Sequence, residues 1–238
     1  MKKYFVNTIY PAFMGEVNIH GRGCPCTFVR LSGCNLRCYK ETKGILCDTP
    51  EALMRNRGKL MTAIQIAVIC GDFQNNVVCL TGGEPLLQDV TELLLELVGR
   101  GYKVVIETNG SVNIEKYRHI RNVSFVVDCK SPSSGEANRM VESNYFALDK
   151  DDFIKFVVDT EEDYSAFTQW VWSHKFVDCN IAVGTFWGSE IAYQELLKKL
   201  QMDGIKAYIN MQTHKMACMY DHFKNVKEFS EIIIPKEL

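Results

Sequence analysis

Short β-branched runs alternate with helical patterns along most of the chain, and this alternation limits the possible folds more than any other feature. The runs are Thr27–Leu31, Val77–Thr81, Lys103–Thr108, Phe125–Cys129, Phe153–Val158, Asn180–Gly184 and Lys206–Asn210. Between them, Met61–Asp72, Asp89–Gly101, Glu161–Ser173 and Glu190–Asp203 place apolar residues on one helical face. Strands this apolar are covered on both sides, and strand–helix–strand order requires parallel pairing through helical crossovers. The expected fold is α/β, an open or partial (incomplete) β/α barrel. In such folds reacting groups gather at the carboxyl ends of the strands, and there the chain reads GGEP after Thr81, NG after Thr108 and KSPSSG after Cys129. No repeat or linker divides the sequence, so a single domain over 1–238 is expected, with an irregular insertion around 39–57.

Composition narrows the class of partner. Lys and Arg total 27 against 29 Asp and Glu, a formal charge of -2, which supplies no broad cationic field for a polyphosphate backbone. Nucleic acid is not expected as a direct substrate. Ten cysteines would suit a disulfide scaffold in a short secreted domain, but this chain is long, and Met1–Met14 resembles no export signal. The expectation is a cytoplasmic protein with reduced thiols. No apolar stretch approaches the roughly 20 residues of a membrane span.

Cys34, Cys38 and Cys47 lie in GCNLRCYKETKGILCDTP, directly after a strand run. Three thiolates folded round one iron–sulfur centre would leave one iron open to a small-molecule ligand. The same cysteines also suit a structural zinc completed by Cys24 or Cys26. In TGGEP (Thr81–Pro85), Gly82 and Gly83 allow backbone to approach a ligand, and Glu84 offers a carboxylate to a cationic amino group. Alone, that segment could equally be a turn capping the next helix. Thr108 and Asn109 can offer hydroxyl and amide groups to a ribose, although Asn-Gly is also a plain turn signal.

Taken together these segments resemble the radical S-adenosylmethionine (SAM) enzymes. Cys34 and Cys38 keep the first interval of the CxxxCxxC pattern. Cys47 follows only after eight residues, but it opens CDT, similar to the motif's end in one radical SAM family, so Tyr39–Leu46 reads as an insertion. Gly15–Glu16, FVRLSGCNLRC and QTHK (Gln212–Lys215) are similar to the 7-carboxy-7-deazaguanine synthase family. Met14 and Val17, where that family commonly has glutamine and glycine, depart from its pattern, as does the tail after Lys215.

The resemblance implies a radical SAM lyase with a partial barrel of the radical SAM type. It would convert 6-carboxy-5,6,7,8-tetrahydropterin to 7-carboxy-7-deazaguanine with loss of ammonia, in deazapurine (queuosine-type) biosynthesis. A [4Fe-4S] cluster is implied on Cys34, Cys38 and Cys47, and Mg2+ on Thr49, with Asp48 assisting through water. SAM is implied at Gly82, Gly83, Glu84, Thr108, Asn109, Lys130, Ser131 and Ser133, and the pterin at Glu16, Arg30 and His214. A homodimer served by an electron donor such as flavodoxin is implied as well. The competing expectations are a radical SAM activase acting on a partner protein and a non-enzymatic zinc- or cluster-binding module.

Overall fold

The computed structural model describes residues 1–44, 47, 49–185 and 189–212. In chain order these form β1 (Lys3–Phe13), β2 (Pro25–Leu31), α1 (Lys40–Lys43), β3 (Lys59–Thr62), α2 (Ala63–Asp72), β4 (Val77–Gly82), α3 (Thr91–Gly99) and β5 (Lys103–Thr108). There follow β6 (Val123–Cys129), α4 (Ser143–Phe146), β7 (Phe153–Val157), α5 (Glu161–Ser173), β8 (Asn180–Gly184), α6 (Tyr193–Met202) and β9 (Tyr208–Ile209).

All strands join one sheet in the order β3-β1-β2-β4-β5-β6-β7-β8-β9, with β3 and β9 at opposite edges. From β2 to β9 every pairing is parallel, whereas β1 runs antiparallel to both neighbours. The sheet does not close, so the expected partial barrel is what forms. Helix starts are fixed locally: Thr62 and Gln65 make a reciprocal capping box for α2, and Thr160 and Asp163 make one for α5.

The sequence reading missed β1 and β3. In β1 the register shifts between Val6 and Thr8, which breaks the alternation a strand is recognised by. Pro11 also reads against a strand, but β3 covers only Lys3–Val6, so Pro11 lies where β1 is an edge and needs no second ladder bond. The expected irregular stretch around 39–57 contains the short helix α1 and a 3-10 turn at Pro50–Ala52.

Strand residues alternate between two apolar cores. Val78, Leu80, Val104, Ile106, Phe125, Val127, Ile154 and Val183 share the larger core with the helices. Their neighbours Val77, Cys79, Val105, Val126, Phe153 and Ala182 form a smaller one with Met14, Val17 and Cys26 on the concave face. No described helix is long and apolar enough to cross a membrane.

Candidate active site

The two-residue period of a strand makes the concave face change character towards the carboxyl ends. Phe28, Cys79, Val105, Val126 and Phe153 form or pack against the apolar floor. Two residues further along the same strands stand Arg30, Thr81, Glu107, Asp128 and Lys155. The apolar floor thus lies beneath a belt of charged and polar groups, at the end of the sheet where this fold does its chemistry.

Within the belt Lys155 links two carboxylates. Its Nζ lies 2.6 Å from Glu16 Oε2 and 3.0 Å from Asp128 Oδ1. Glu16 Oε1 accepts a 2.7 Å bond from Gln212 Nε2, and Asp128 Oδ2 pairs with Lys130. Burial pushes the Glu16 carboxyl up, but Lys155 and Gln212 outweigh it and hold the group below the usual carboxylate range. Asp128 is also opposed by burial, yet its two lysines bring it down to about 2. Glu107 has no such cation at contact distance among the described residues. Burial and the Glu16 charge raise it, although Thr81 donates to it at 3.2 Å.

Arg30 sits on the same face with Nη2 3.0 Å from the Tyr10 hydroxyl and Nη1 3.8 Å from Glu51. Tyr10 stacks on Phe28 with ring centroids 5.3 Å apart, which keeps the guanidinium partner in place. Glu107 acts electrostatically on both Arg30 and Glu16, so these expected substrate residues share one field.

The cysteine loop lies across the ends of the central strands. Cys34 Sγ receives Leu36 N–H at 3.5 Å and Asn109 Nδ2 at 3.7 Å. Cys38 is pushed up by burial and drawn back by the Lys130 ammonium, with Cys34 among the charges it feels. Cys47 is half-buried. The presumed insertion is tied to the loop after β6: Tyr39 N–H reaches Ser134 O at 2.9 Å, and Thr42 Oγ1 reaches Ser133 O at 2.6 Å. Lys43 pairs with the fully buried Asp159.

Gly82 and Gly83 serve this packing. Gly82 has φ +148°, and a Cβ there would sit 2.0 Å from Leu31 O; one on Gly83 would sit 2.4 Å from Gly33 O. The space they leave is filled by backbone at the end of β2 and at the start of the cysteine loop, and Glu84 N–H bonds Gly33 O at 2.7 Å. The Glu84 carboxylate is fully buried. It accepts Leu86 N–H at 2.9 Å, Thr108 Oγ1–H at 2.9 Å and Asn109 N–H at 2.6 Å. Burial nevertheless pushes its pKa up to about 7. Glu84 thereby fastens GGEP to the Thr108–Asn109 turn, while Ser131 Oγ is spent on Val157 O and Ser133 N–H on Asp163.

Cys34, Cys38, Glu84, Thr108, Asn109 and Lys130 thus share one neighbourhood, and Glu16 and Arg30 share the adjoining concave face. His214 and Asp48 lie outside the described residues. Sequence reasoning assigned no role to Lys155, Asp128, Glu107 or Gln212. A lysine inside FIKFVV was the available signal, since a charge in a doubly covered strand needs a partner.

Thiolates around one zinc ion stand about 3.8 Å apart, given Zn–S bonds of about 2.3 Å. Among the described residues no three His, Cys, Asp or Glu side chains are placed to hold one metal ion. N–H donors on a thiolate sulfur, as at Cys34, suit an iron–sulfur cluster.

No protein-family model matches the chain. It is 34% identical to the 7-carboxy-7-deazaguanine synthase of Methanospirillum hungatei over 196 residues, 81% of this chain and 77% of that protein. The protein of that name from Chlorobaculum tepidum is 31% identical over 215 residues, 88% of this chain and 92% of its own length. The one from Clostridium acetobutylicum reaches 40% over 155 residues, 62% and 67% of the two chains. Among solved structures, QueE from Escherichia coli superposes with a TM-score of 0.66 at 19% identity, over 88% of this chain and 93% of that one, which shows the shared fold. By these relatives, the chain belongs to the 7-carboxy-7-deazaguanine synthase family.

Proposed function

We propose that this chain is a radical SAM lyase that converts 6-carboxy-5,6,7,8-tetrahydropterin to 7-carboxy-7-deazaguanine with loss of ammonia. The observation that carries the reading is the belt on the concave face. An acceptor carboxylate, Glu16, and a guanidinium, Arg30, share one charged rim beside Cys34 and Cys38, in a chain of this family.

Cys34, Cys38 and Cys47 would hold the [4Fe-4S] cluster, and Gly82–Glu84, Thr108, Asn109, Lys130, Ser131 and Ser133 would surround SAM. When bound, the two would supply one-electron radical chemistry for hydrogen abstraction at C6 of the pterin. Glu16 accepts the amino and ring N–H groups of the pterin, and Arg30 pairs with its carboxylate. His214 adds a polar contact, and Thr49 would supply a hard oxygen to Mg2+ at the substrate. The apolar floor keeps water from one side of the substrate, so the residues of the chain act chiefly by placement. The Cys34–Cys38 face would receive an electron donor such as flavodoxin, and the protein would work as a cytoplasmic homodimer.

Reconstituted under strict anaerobiosis with reductant, SAM, Mg2+ and carboxytetrahydropterin, the protein is expected to yield 7-carboxy-7-deazaguanine, and Cys34→Ala to yield none. SAM cleavage without that product would overturn the substrate assignment and leave the enzyme class standing.

A further inference from the structure

Lys155 stands among three carboxylates, and they are not equally provided for. Asp128 has a second cation in Lys130, and Glu107 has the Thr81 hydroxyl. Glu16 has Lys155 as its one ion-pair partner among the described residues, and Gln212 as a neutral donor. Among the described residues, the remaining ionisable groups that face Glu16 are Asp128 on β6, Glu107 on β5 and Tyr193 at the start of α6, where Arg22 also acts. β8 turns Ala182 towards this face.

The hydrogen bonds set what Glu16 can still do. Lys155 occupies one lone pair of Oε2, and Gln212 occupies one of Oε1. Among the described residues no other donor reaches them, so each oxygen keeps one acceptor site, and an ionised carboxylate has no donor. Two such sites on one planar group match a pair of parallel N–H bonds. The 2-amino and ring N–H edge of a pterin presents that pair, whereas a 2-oxo ring presents a carbonyl there.

We propose that Lys155 is a specificity-determining positioning residue: by ion-pairing Glu16 it keeps this carboxylate an acceptor-only group and so selects 2-amino-4-oxo pterins over their 2-oxo counterparts. The inference rests on the pterin reading of Glu16 given above. Without Lys155 the burial that pushes the Glu16 carboxyl up loses its main counterweight, so Glu16 takes up a proton more readily, becomes a donor as well as an acceptor, and accommodates either edge.

The test is a fluorescence titration of the reconstituted full-length protein with SAM present and reductant omitted, so that binding is read without turnover. The ligands are 6-carboxypterin and 6-carboxylumazine, its 2-oxo analogue. The wild type should prefer the pterin by about tenfold or more, with little dependence on pH. Lys155→Met should bring the two affinities close together at acidic pH and regain the preference as pH rises and Glu16 ionises. Lys155→Arg should keep the preference. If Lys155→Met does not fold, Lys155→Met with Glu107→Gln removes one of the uncompensated carboxylates and is read in the same way. A Lys155→Met protein that keeps the wild-type ratio at every pH, or loses both affinities in proportion, overturns the inference while the wild type still binds pterin. A wild type that binds neither ligand overturns the pterin reading, and the inference with it.

Discussion

The backbone N–H of Asn109 bonds the carboxylate of Glu84 at 2.6 Å, joining the turn after β5 to the turn after β4 across a fully buried acid. Burial lifts the Glu84 pKa from its ordinary 4.5 to about 7. The folded state therefore holds this proton more tightly than the unfolded chain does. Stability contributed by the protonated acid is complete below about pH 4.5 and is lost as pH rises through about 7. Glu84→Gln does not titrate, so urea unfolding of the metal-free variant should show a flatter decline across that window. At lower pH it should be less stable by about 1–3 kcal/mol, because its amide NH2 must face a backbone N–H. An unchanged pH slope would contradict the assignment.

Lys43 and Asp159 make the corresponding tie for the lengthened cysteine loop. Asp159 is fully buried, while Lys43 remains partly exposed. Lys43→Ala leaves that carboxylate without its lysine and should cost about 1–3 kcal/mol, less than a fully buried pair. Hydrogen exchange should quicken at Tyr39–Gly44 first, and iron uptake on reconstitution should fall. Exchange that rises evenly over the whole chain would argue against a local tie.

Arg30 presents a planar fork held on one side by the Tyr10 hydroxyl at 3.0 Å. Lysine keeps the charge but cannot hold Tyr10 and a carboxylate in one plane. Arg30→Lys should raise the KM for carboxytetrahydropterin about tenfold or more, while SAM cleavage in the absence of pterin stays near wild type. Steady-state kinetics with pterin and SAM varied separately will show this, and an effect confined to SAM would move Arg30 to the other ligand.

The strands from β4 to β8 and the helices α2, α3, α5 and α6 were legible in the sequence because period-2 and period-3.6 patterns there are enforced by burial on both sides of the sheet. β1 was not, since its bulge after Val6 and its Pro11 hide the alternation. The cysteines and the turns after β4, β5 and β6 were legible as site segments, but the destination of each side chain was not. Glu84 and Thr108 were expected at the SAM site, and that they also bond each other at 2.9 Å was not legible. Lys155 and Asp128, which pair at 3.0 Å, lie 27 residues apart in sequence. Only the parallel register that sets Asp128 beside Lys155 brings them together.

Asn109 divides its amide between two jobs, and the division gives a test of the cluster site itself. Its Nδ2 points at Cys34 Sγ at 3.7 Å and at Asn35 Oδ1 at 3.2 Å, whereas its Oδ1 accepts from the backbone and hydroxyl of Ser111. Donors on a ligating sulfur stabilise the reduced, more negative cluster, so their loss makes reduction harder. Asn109→Ala should therefore shift the cluster potential to more negative values in an EPR-monitored redox titration. Ser111→Ala loosens the same turn but leaves the sulfur's donor in place, and its potential should stay at the wild-type value. Equal shifts in both variants would show that turn geometry, and not the bond to Cys34, sets the potential.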